Sequence, residues 1–472
     1  MKTKKPLYMV YDFSMGGNYM PNCLDQTYTE IIFENYGQIM TPVMDFYYKN
    51  CIQIPNLVEG LNVSEGLFEN ITLYDYDTLD IDKENSIFLY PVEPYANMDH
   101  VLGTPHSFSK EPFLKHISKK ALTELQKENN NFYLIVSFAN EGTISNNMID
   151  YLYNIVDAYS VPRYKLIFVI ASADLDTHHE RFCERENVPS DNRIKTLYWT
   201  WSLREKVEEA HRIERDQNTN IDGSVSTIAT ESDLDENKKR NHKFMMFNRR
   251  MRVQRVILLC LLGLDFIEEN LISYDFNFLS DPVHESLFEP RVDKKYVSMG
   301  VQNMQNIIDN KKKSVIDFND VYNTIGFGCE IKDPYIDSYI HIISETNFEI
   351  PGVYFSEKTW KPILNLQPFI MVNYAHSLKY LKDIGFKTFH PFIDESYDSE
   401  EDDSIRMTKI YEEIKRLNSL SIDELHNWYY GIKDILIYNR NHALSFRGDK
   451  LKQTEIDYLN KIIDYVESNQ TN

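Results

Sequence analysis

The feature that most constrains the fold is a rhythm. Five apolar runs, Leu7–Tyr11, Ser86–Tyr90, Phe132–Phe138, Lys165–Ile170 and Ile194–Tyr198, read as strands. Between several of them lie helical patterns, at Thr27–Tyr36, Leu114–Lys127, Ser145–Ala158 and Thr177–Glu186, whose apolar residues recur every three or four positions. Strand, helix, strand in this order predicts a parallel sheet wrapped by helices. The second half restarts the pattern with a strand at Lys243–Phe247, a helix from Val253 to Leu264, and strands at Leu271–Tyr274, Tyr339–Ile343 and Pro368–Asn373. A second doubly wound unit is the simplest account.

At 472 residues the chain exceeds one ordinary core, and two domains are expected. The boundaries predicted are an N-terminal Rossmann-like domain over 1–214, a polar and acidic linker or mobile loop over 215–240, and a C-terminal ligand-binding domain over 241–404. A helical tail over 405–472, with Ile410, Ile414 and Leu417 on one face, is expected to pack back on the first domain. The net charge of -22 works against general affinity for nucleic acid or anionic membrane. Five cysteines without a CxxC pair argue against a disulfide framework or a zinc knuckle. The longest apolar stretch, Val256–Leu264, is far short of a bilayer span. The expectation is a cytoplasmic protein without a membrane span or cleaved signal, in a host's cytoplasm if the chain is virus-encoded.

Two segments carry the chemistry. In Tyr354–Ile370, Ser356 reads as a helix N-cap, placing Glu357, Lys358 and Thr359 in a first turn whose backbone N–H groups and dipole attract a diphosphate. Lys358 supplies positive charge there, and Glu357 can accept hydrogen bonds from two ribose hydroxyls. Pro362 predicts a short or bent helix. The other segment, Phe247–Arg255, places Asn248 and four arginines, Arg249, Arg250, Arg252 and Arg255, between a strand and an apolar helix. An arginine at such a turn can bind two phosphate oxygens at once. Each of the first three reads equally well as part of a solvated helix start; Arg255 is the strongest choice.

These two elements, with Ile343-Ser-Glu345 preceding Phe355-Ser-Glu-Lys358, resemble the donor-binding half of the alpha-1,3-fucosyltransferases and of the fucosyltransferase-like glycosyltransferases of phages and bacteria. The resemblance covers about residues 243–400, with Ser-Glu-Lys in place of the more usual Thr-Glu-Lys. It implies a GT-B architecture, two Rossmann-like lobes facing a central cleft, and inverting transfer from a nucleoside diphosphate sugar, a GDP- or UDP-sugar, with no obligatory metal. It also implies that Asn248, Arg252, Arg255, Glu345, Ser356, Glu357 and Lys358 form the donor site, with Arg255 and Lys358 on the diphosphate and Glu357 on the ribose.

Inverting transfer needs a general base. Glu141, after the strand ending at Phe138, is the first candidate, and Asp12, after the first strand, the second; both fall at carboxyl ends of strands, where ligands of open parallel sheets collect. Glu141 otherwise reads as a helix N-terminal acid. His178 and His179, adjacent on a helix, diverge by about 100° and read as surface residues rather than metal ligands. Asp394, Glu395 and Asp398 could hold a divalent ion, but a run of acids that continues through Glu400, Glu401, Asp402 and Asp403 more often reads as a solvated loop and helix start. Trp199 and Trp201 either stack on a sugar or pack in a core. The expected acceptor is a hydroxyl, in a glycan or other molecule. The alternatives are transfer to a modified base of phage DNA, which the acidity disfavours, and a non-catalytic nucleotide- or glycan-binding protein.

Overall fold

The chain divides into two compact units, Met1–Trp201 with Gly448–Asn472, and Ser202–Arg447. The computed structural model describes residues 3–11, 67–92, 114, 117–138, 142, 144, 146–200, 202–215, 226–248, 252–274, 285–310 and 332–470. The first unit contains β1 (Leu7–Tyr11), β2 (Glu69–Thr72), α1 (Leu73–Thr78), β3 (Ile87–Val92), α2 (Lys119–Gln126), β4 (Phe132–Phe138), α3 (Asn146–Ala158), β5 (Leu166–Ile170), α4 (Leu175–Arg185) and β6 (Lys195–Tyr198). The second contains α5 (Ser202–Glu214), α6 (Glu231–Asp235), β7 (His242–Phe247), α7 (Val253–Glu269), β8 (Leu271–Ser273), α8 (Lys294–Asn310), α9 (Asp333–Asp337) and β9 (Ser338–Ser344). It continues with α10 (Glu357–Leu364), β10 (Phe369–Val372), α11 (Ser377–Asp383), α12 (Asp403–Asn418), α13 (Ile422–Gly431) and α14 (Lys433–Leu444). The last helix, α15 (Gly448–Gln470), belongs to the first unit.

The first unit is a parallel sheet of order β2-β1-β3-β4-β5-β6. Its inner strands β3, β4 and β5 are apolar on both faces, and the period of two sorts the residues of the sheet into two cores. Val10, Phe88, Tyr90, Leu134, Val136, Phe168 and Ile170 face a cluster with Leu125 of α2, Leu152 and Val156 of α3, and Phe182 of α4. Met9, Leu89, Ile135, Ile167 and Val169 face the other way, where α15 supplies Ile456, Leu459, Ile462, Ile463 and Val466. The strands predicted here are present within a residue or two; β2 and α1 had no expectation, and the predicted helix Thr27–Tyr36 lies outside the described residues.

The second unit is a four-stranded parallel sheet of order β10-β9-β7-β8. Every residue of β9 and β10 is buried. The chain winds from β7 outward to β8, then to the far side of β7 for β9 and β10, so the order reverses between β7 and β9. With right-handed crossovers, α7 and α10 fall on opposite faces of the sheet. Their neighbours agree: α7 packs on α8 and α12, α10 on α5 and α14. Helix α7 is interrupted at Gly263, whose φ of 83° suits glycine, and Asn303 Nδ2 donates to the carbonyl of Cys260 at 2.8 Å beside the break. Of the polar stretch 215–240, residues 226–240 are built into this unit. Thr230 and Asp233 form a reciprocal capping box on α6, and Ala229 N donates to Asn365 Oδ1 at 2.8 Å. Both described cysteines, Cys183 and Cys260, are buried and free.

Candidate functional site

In an open parallel sheet, ligands bind outside the carboxyl ends of strands where the strand order reverses. In the second unit that place is the end of β7, followed by Asn248, and the end of β9, followed by Glu345. Both strands lead to helix N-termini, α7 with Arg252 at the N-cap position and α10 with Ser356 at its N-cap. The two segments singled out from sequence are therefore the two sides of one topological switch point.

On the β9 side, Glu345 is an internal hub and not an exposed ligand. It is fully buried; Oε1 accepts from Ser356 N at 3.0 Å and Thr359 Oγ1 at 2.7 Å, and Oε2 accepts from Ser356 Oγ at 2.6 Å. Ser356 Oγ in turn accepts from Lys358 N at 3.2 Å. The carboxylate thus fixes the rotamer of the N-cap and the entry of α10, using charge-assisted bonds in a dry setting. Above it, Lys358 Nζ donates to Glu357 Oε1 at 2.6 Å, and both side chains are about a third exposed, at 30% and 36%. Burial works to raise the pKa of Glu357, but Lys358 and Lys361 outweigh it and hold the carboxyl at about 2. Glu357 is therefore an ionised acceptor at neutral pH, at the helix end where a carboxylate is favoured.

On the β7 side, Arg252 is exposed and Arg255 is buried, 3% accessible. Arg255 Nη2 donates to the carbonyl of Ser344 at 2.7 Å and Nε to Ser344 Oγ at 3.3 Å, tying α7 to the end of β9. Burial, then nearby Arg252, lowers its pKa to about 10, while Glu345 and Glu357 pull the other way; the guanidinium stays charged at neutral pH. Gln254 Nε2 donates to the carbonyls of Glu345 and Thr346, at 3.1 and 3.2 Å. Asn248 takes part through its backbone, whose N–H donates to Ser273 Oγ at 3.0 Å. Its side chain is 1% exposed, yet neither amide atom has a hydrogen-bond partner among the described residues. Such an amide is costly unless something pairs with it.

The roles of Gln254, Ser344 and Ser202 were missed from sequence. Ser202 Oγ donates to the carbonyl of Phe355 at 2.6 Å and accepts from Trp360 Nε1 at 2.9 Å, fastening α5 to both sides of the Ser356 cap. No local signal marks a serine 154 residues upstream as part of this turn.

Asp12, Glu141, Arg249, Arg250 and Trp201 lie outside the described residues. His179 corrects the surface expectation: it is buried on the inner face of α4, one turn from Leu175 and Cys183, with Nε2 2.9 Å from Tyr153 Oη. Burial lowers its pKa to about 4, so it packs as a neutral ring. His178 Nε2 lies 2.8 Å from Asp174 Oδ2. The acids after Phe389 serve the backbone: Asp398 accepts from the N–H groups of Leu378 and Lys379, Glu395 from Phe389 N, and Asp394 from Ser396 N. Trp199 packs on Tyr458 of α15, ring centroids 4.4 Å apart.

Chemically, the switch point offers two helix N-termini, the cations Arg252, Arg255 and Lys358, one ionised carboxylate in Glu357 and, in Asn248, one amide without a partner among the described residues. That set suits an anion flanked by a group bearing hydroxyls. No helix among the described residues is long and apolar enough to cross a membrane. No protein-family model matches this chain, and neither a curated protein nor a solved structure matches it.

Proposed function

We propose that the protein is an inverting glycosyltransferase of GT-B type, moving a sugar from a nucleoside diphosphate sugar to a hydroxyl of a glycan or other acceptor. The observation that carries this reading is the meeting of both sequence segments at the switch point between β7 and β9. In this reading Lys358 and Arg252 meet the diphosphate oxygens, while Arg255 supplies charge from beneath the turn. Glu357 accepts from the ribose hydroxyls, and the amide of Asn248 finds its partner on the donor. The acceptor hydroxyl gives its proton to a carboxylate, Glu141 first and Asp12 second. Its oxygen forms a bond to the anomeric carbon as the bond to the diphosphate breaks, and the leaving charge is held at the α10 N-terminus. No step requires a metal.

The test is titration calorimetry with UDP-glucose and GDP-mannose against wild type and Lys358→Ala. Loss of one charge-assisted contact is expected to weaken binding about 10- to 100-fold, with the melting temperature little changed. Equal affinity in the variant, or no binding of either donor to wild type, sinks the assignment. Mass spectrometry of acceptors incubated with the bound donor then separates a transferase from a protein that only binds.

A further inference from the structure

The amino end of the first sheet carries a polar cavity that the proposed reaction does not use. Its volume is about 560 Å³, inside the range of about 300–1,000 Å³ common for small-molecule sites, and it is lined by α1, α2 and the segments that lead into β3 and β4. Strand β4 is 7 residues long, so about 20 Å separates the cavity from the carboxyl end of the sheet. Paired groups hold the floor rigid. Glu124 Oε1 accepts from Lys127 Nζ at 2.5 Å, and Oε2 accepts from Asn130 Nδ2 at 3.0 Å and from Tyr76 Oη at 3.4 Å. Fully buried Lys165 donates to Asn130 Oδ1 and to the carbonyl of Lys127. Asn131, 5% exposed, donates through Nδ2 to the carbonyls of Lys83 and Glu84 at 3.2 and 2.9 Å, which fixes the segment bearing the rim.

The rim is different, for Lys83, Glu84 and Asn129 are exposed. Among the described residues the side chains of Glu84 and Asn129 have no hydrogen-bond or ion-pair partner, and the Lys83 ammonium meets only the face of the Tyr76 ring, 4.2 Å from its centroid. These groups select the ligand. An anion is opposed by the three carboxylates in the lining, Asp77, Glu84 and Glu124. A metal ion finds one uncommitted carboxylate, because Asp77 pairs with Lys120 and Glu124 with Lys127. An apolar ligand finds no open ring, since Tyr76 is 5% exposed and packs edge-to-face with Phe88 and Phe132. What remains on offer is a carboxylate with two acceptor oxygens, an amide that both donates and accepts, and an ammonium donor, all over a polar wall. That set suits a neutral ligand whose adjacent hydroxyls donate and accept in turn.

We propose that this cavity is a non-catalytic binding site for a neutral oligosaccharide. Glu84 accepts from two vicinal hydroxyls, and Asn129 and Lys83 supply the remaining contacts. The paired floor keeps its shape before the sugar arrives, so little ordering is required on binding. The site goes beyond the donor reading and does not depend on it.

The experiment is saturation-transfer NMR and titration calorimetry of the full chain with maltotriose, cellotriose, chitotriose and xylotriose. Wild type is expected to bind at least one of them with a dissociation constant of about 1 mM or below. Glu84→Ala is expected to weaken that binding about 10-fold or more, and Asn129→Ala about 3- to 10-fold. Both side chains are exposed, so the melting temperature of each variant is expected to match wild type, and so is its affinity for UDP-glucose and GDP-mannose. No binding of any of the four sugars up to about 10 mM, or affinity unchanged in either variant, overturns the proposal. So does binding of calcium or inorganic phosphate, without any sugar, that Glu84→Ala abolishes, since the cavity is then an ion site. Each of these outcomes leaves the donor site standing. Failure of wild type to bind either nucleotide sugar overturns the donor reading and leaves this site standing.

Discussion

Truncating Glu345 to alanine removes a buried carboxylate and strands three donors at once, Ser356 N, Ser356 Oγ and Thr359 Oγ1. A buried donor left unpaired costs about 1–3 kcal/mol, and hydrogen bonds to charged groups contribute about 1.5–3 kcal/mol, so a loss of about 3–5 kcal/mol is expected. Ser356→Ala should cost about 2–3 kcal/mol, about 1 from the N-cap and the rest from under-satisfying the carboxylate. Because both substitutions break the same bonds, their effects should not add. The double variant should cost little more than Glu345→Ala alone, giving a coupling energy of about 1.5–3 kcal/mol. Urea unfolding of the four proteins in the cycle, monitored by the fluorescence of buried Trp360 in a chain whose other tryptophans are replaced by phenylalanine, measures this. Additive costs, or a loss below about 1 kcal/mol for Glu345→Ala, would refute the view that this carboxylate organises the cap. Under the proposed function, donor binding should fall in all three variants, since the N–H groups of the first turn lose their fixed direction.

Asn248→Ala is expected to leave the urea midpoint nearly unchanged or raised, because its amide has no partner among the described residues, yet to weaken donor binding; lost stability with intact binding would contradict this. Two carboxyls, Glu357 of α10 and Glu205 of α5, give stability-versus-pH profiles of opposite sign. Glu357, depressed to about 2 from 4.5, contributes stability that is full above pH 4.5 and lost as pH falls toward 2; Glu357→Gln should remove that loss in acid unfolding curves. Glu205, raised to about 7 from 4.5, makes stability decline as pH rises from 4.5 through 7, and Glu205→Gln should flatten this window. Leu459→Ala, fully buried against the first sheet, should cost about 2–5 kcal/mol by thermal or urea unfolding, and a loss below about 1 would mean that α15 does not cover that face.

Much of the site was legible because its signals are local. A serine before Glu-Lys-Thr, an arginine-rich segment between an apolar strand and an apolar helix, and a Pro-Phe-Ile strand each depend on neighbours in sequence, and the strands and helices they mark lie where the spacing predicts. Roles were harder to read. Glu345 has the chemistry of a ligand-binding acid, and only the structure shows both its oxygens spent on Ser356 and Thr359. His179 shares a helical face with Leu175, Phe182 and Cys183, a spacing present in the sequence that the surface reading overlooked; its partner, Tyr153 on another helix, is what only the structure shows.

By itself the sequence determined the two runs of parallel strands, the Ser356 cap and the chemical types in the two segments, because period, capping and charge act over a few residues. Tertiary structure decided the rest. The β10-β9-β7-β8 order brings Asn248 and Glu345 to adjacent strand ends, Ser202 reaches across from α5 to hold the cap, and α15 closes the first sheet from the opposite end of the chain. None of these follows from local pattern, because each is a choice among distant apolar faces and hydrogen-bonding groups that are equivalent in sequence until packing selects one pairing.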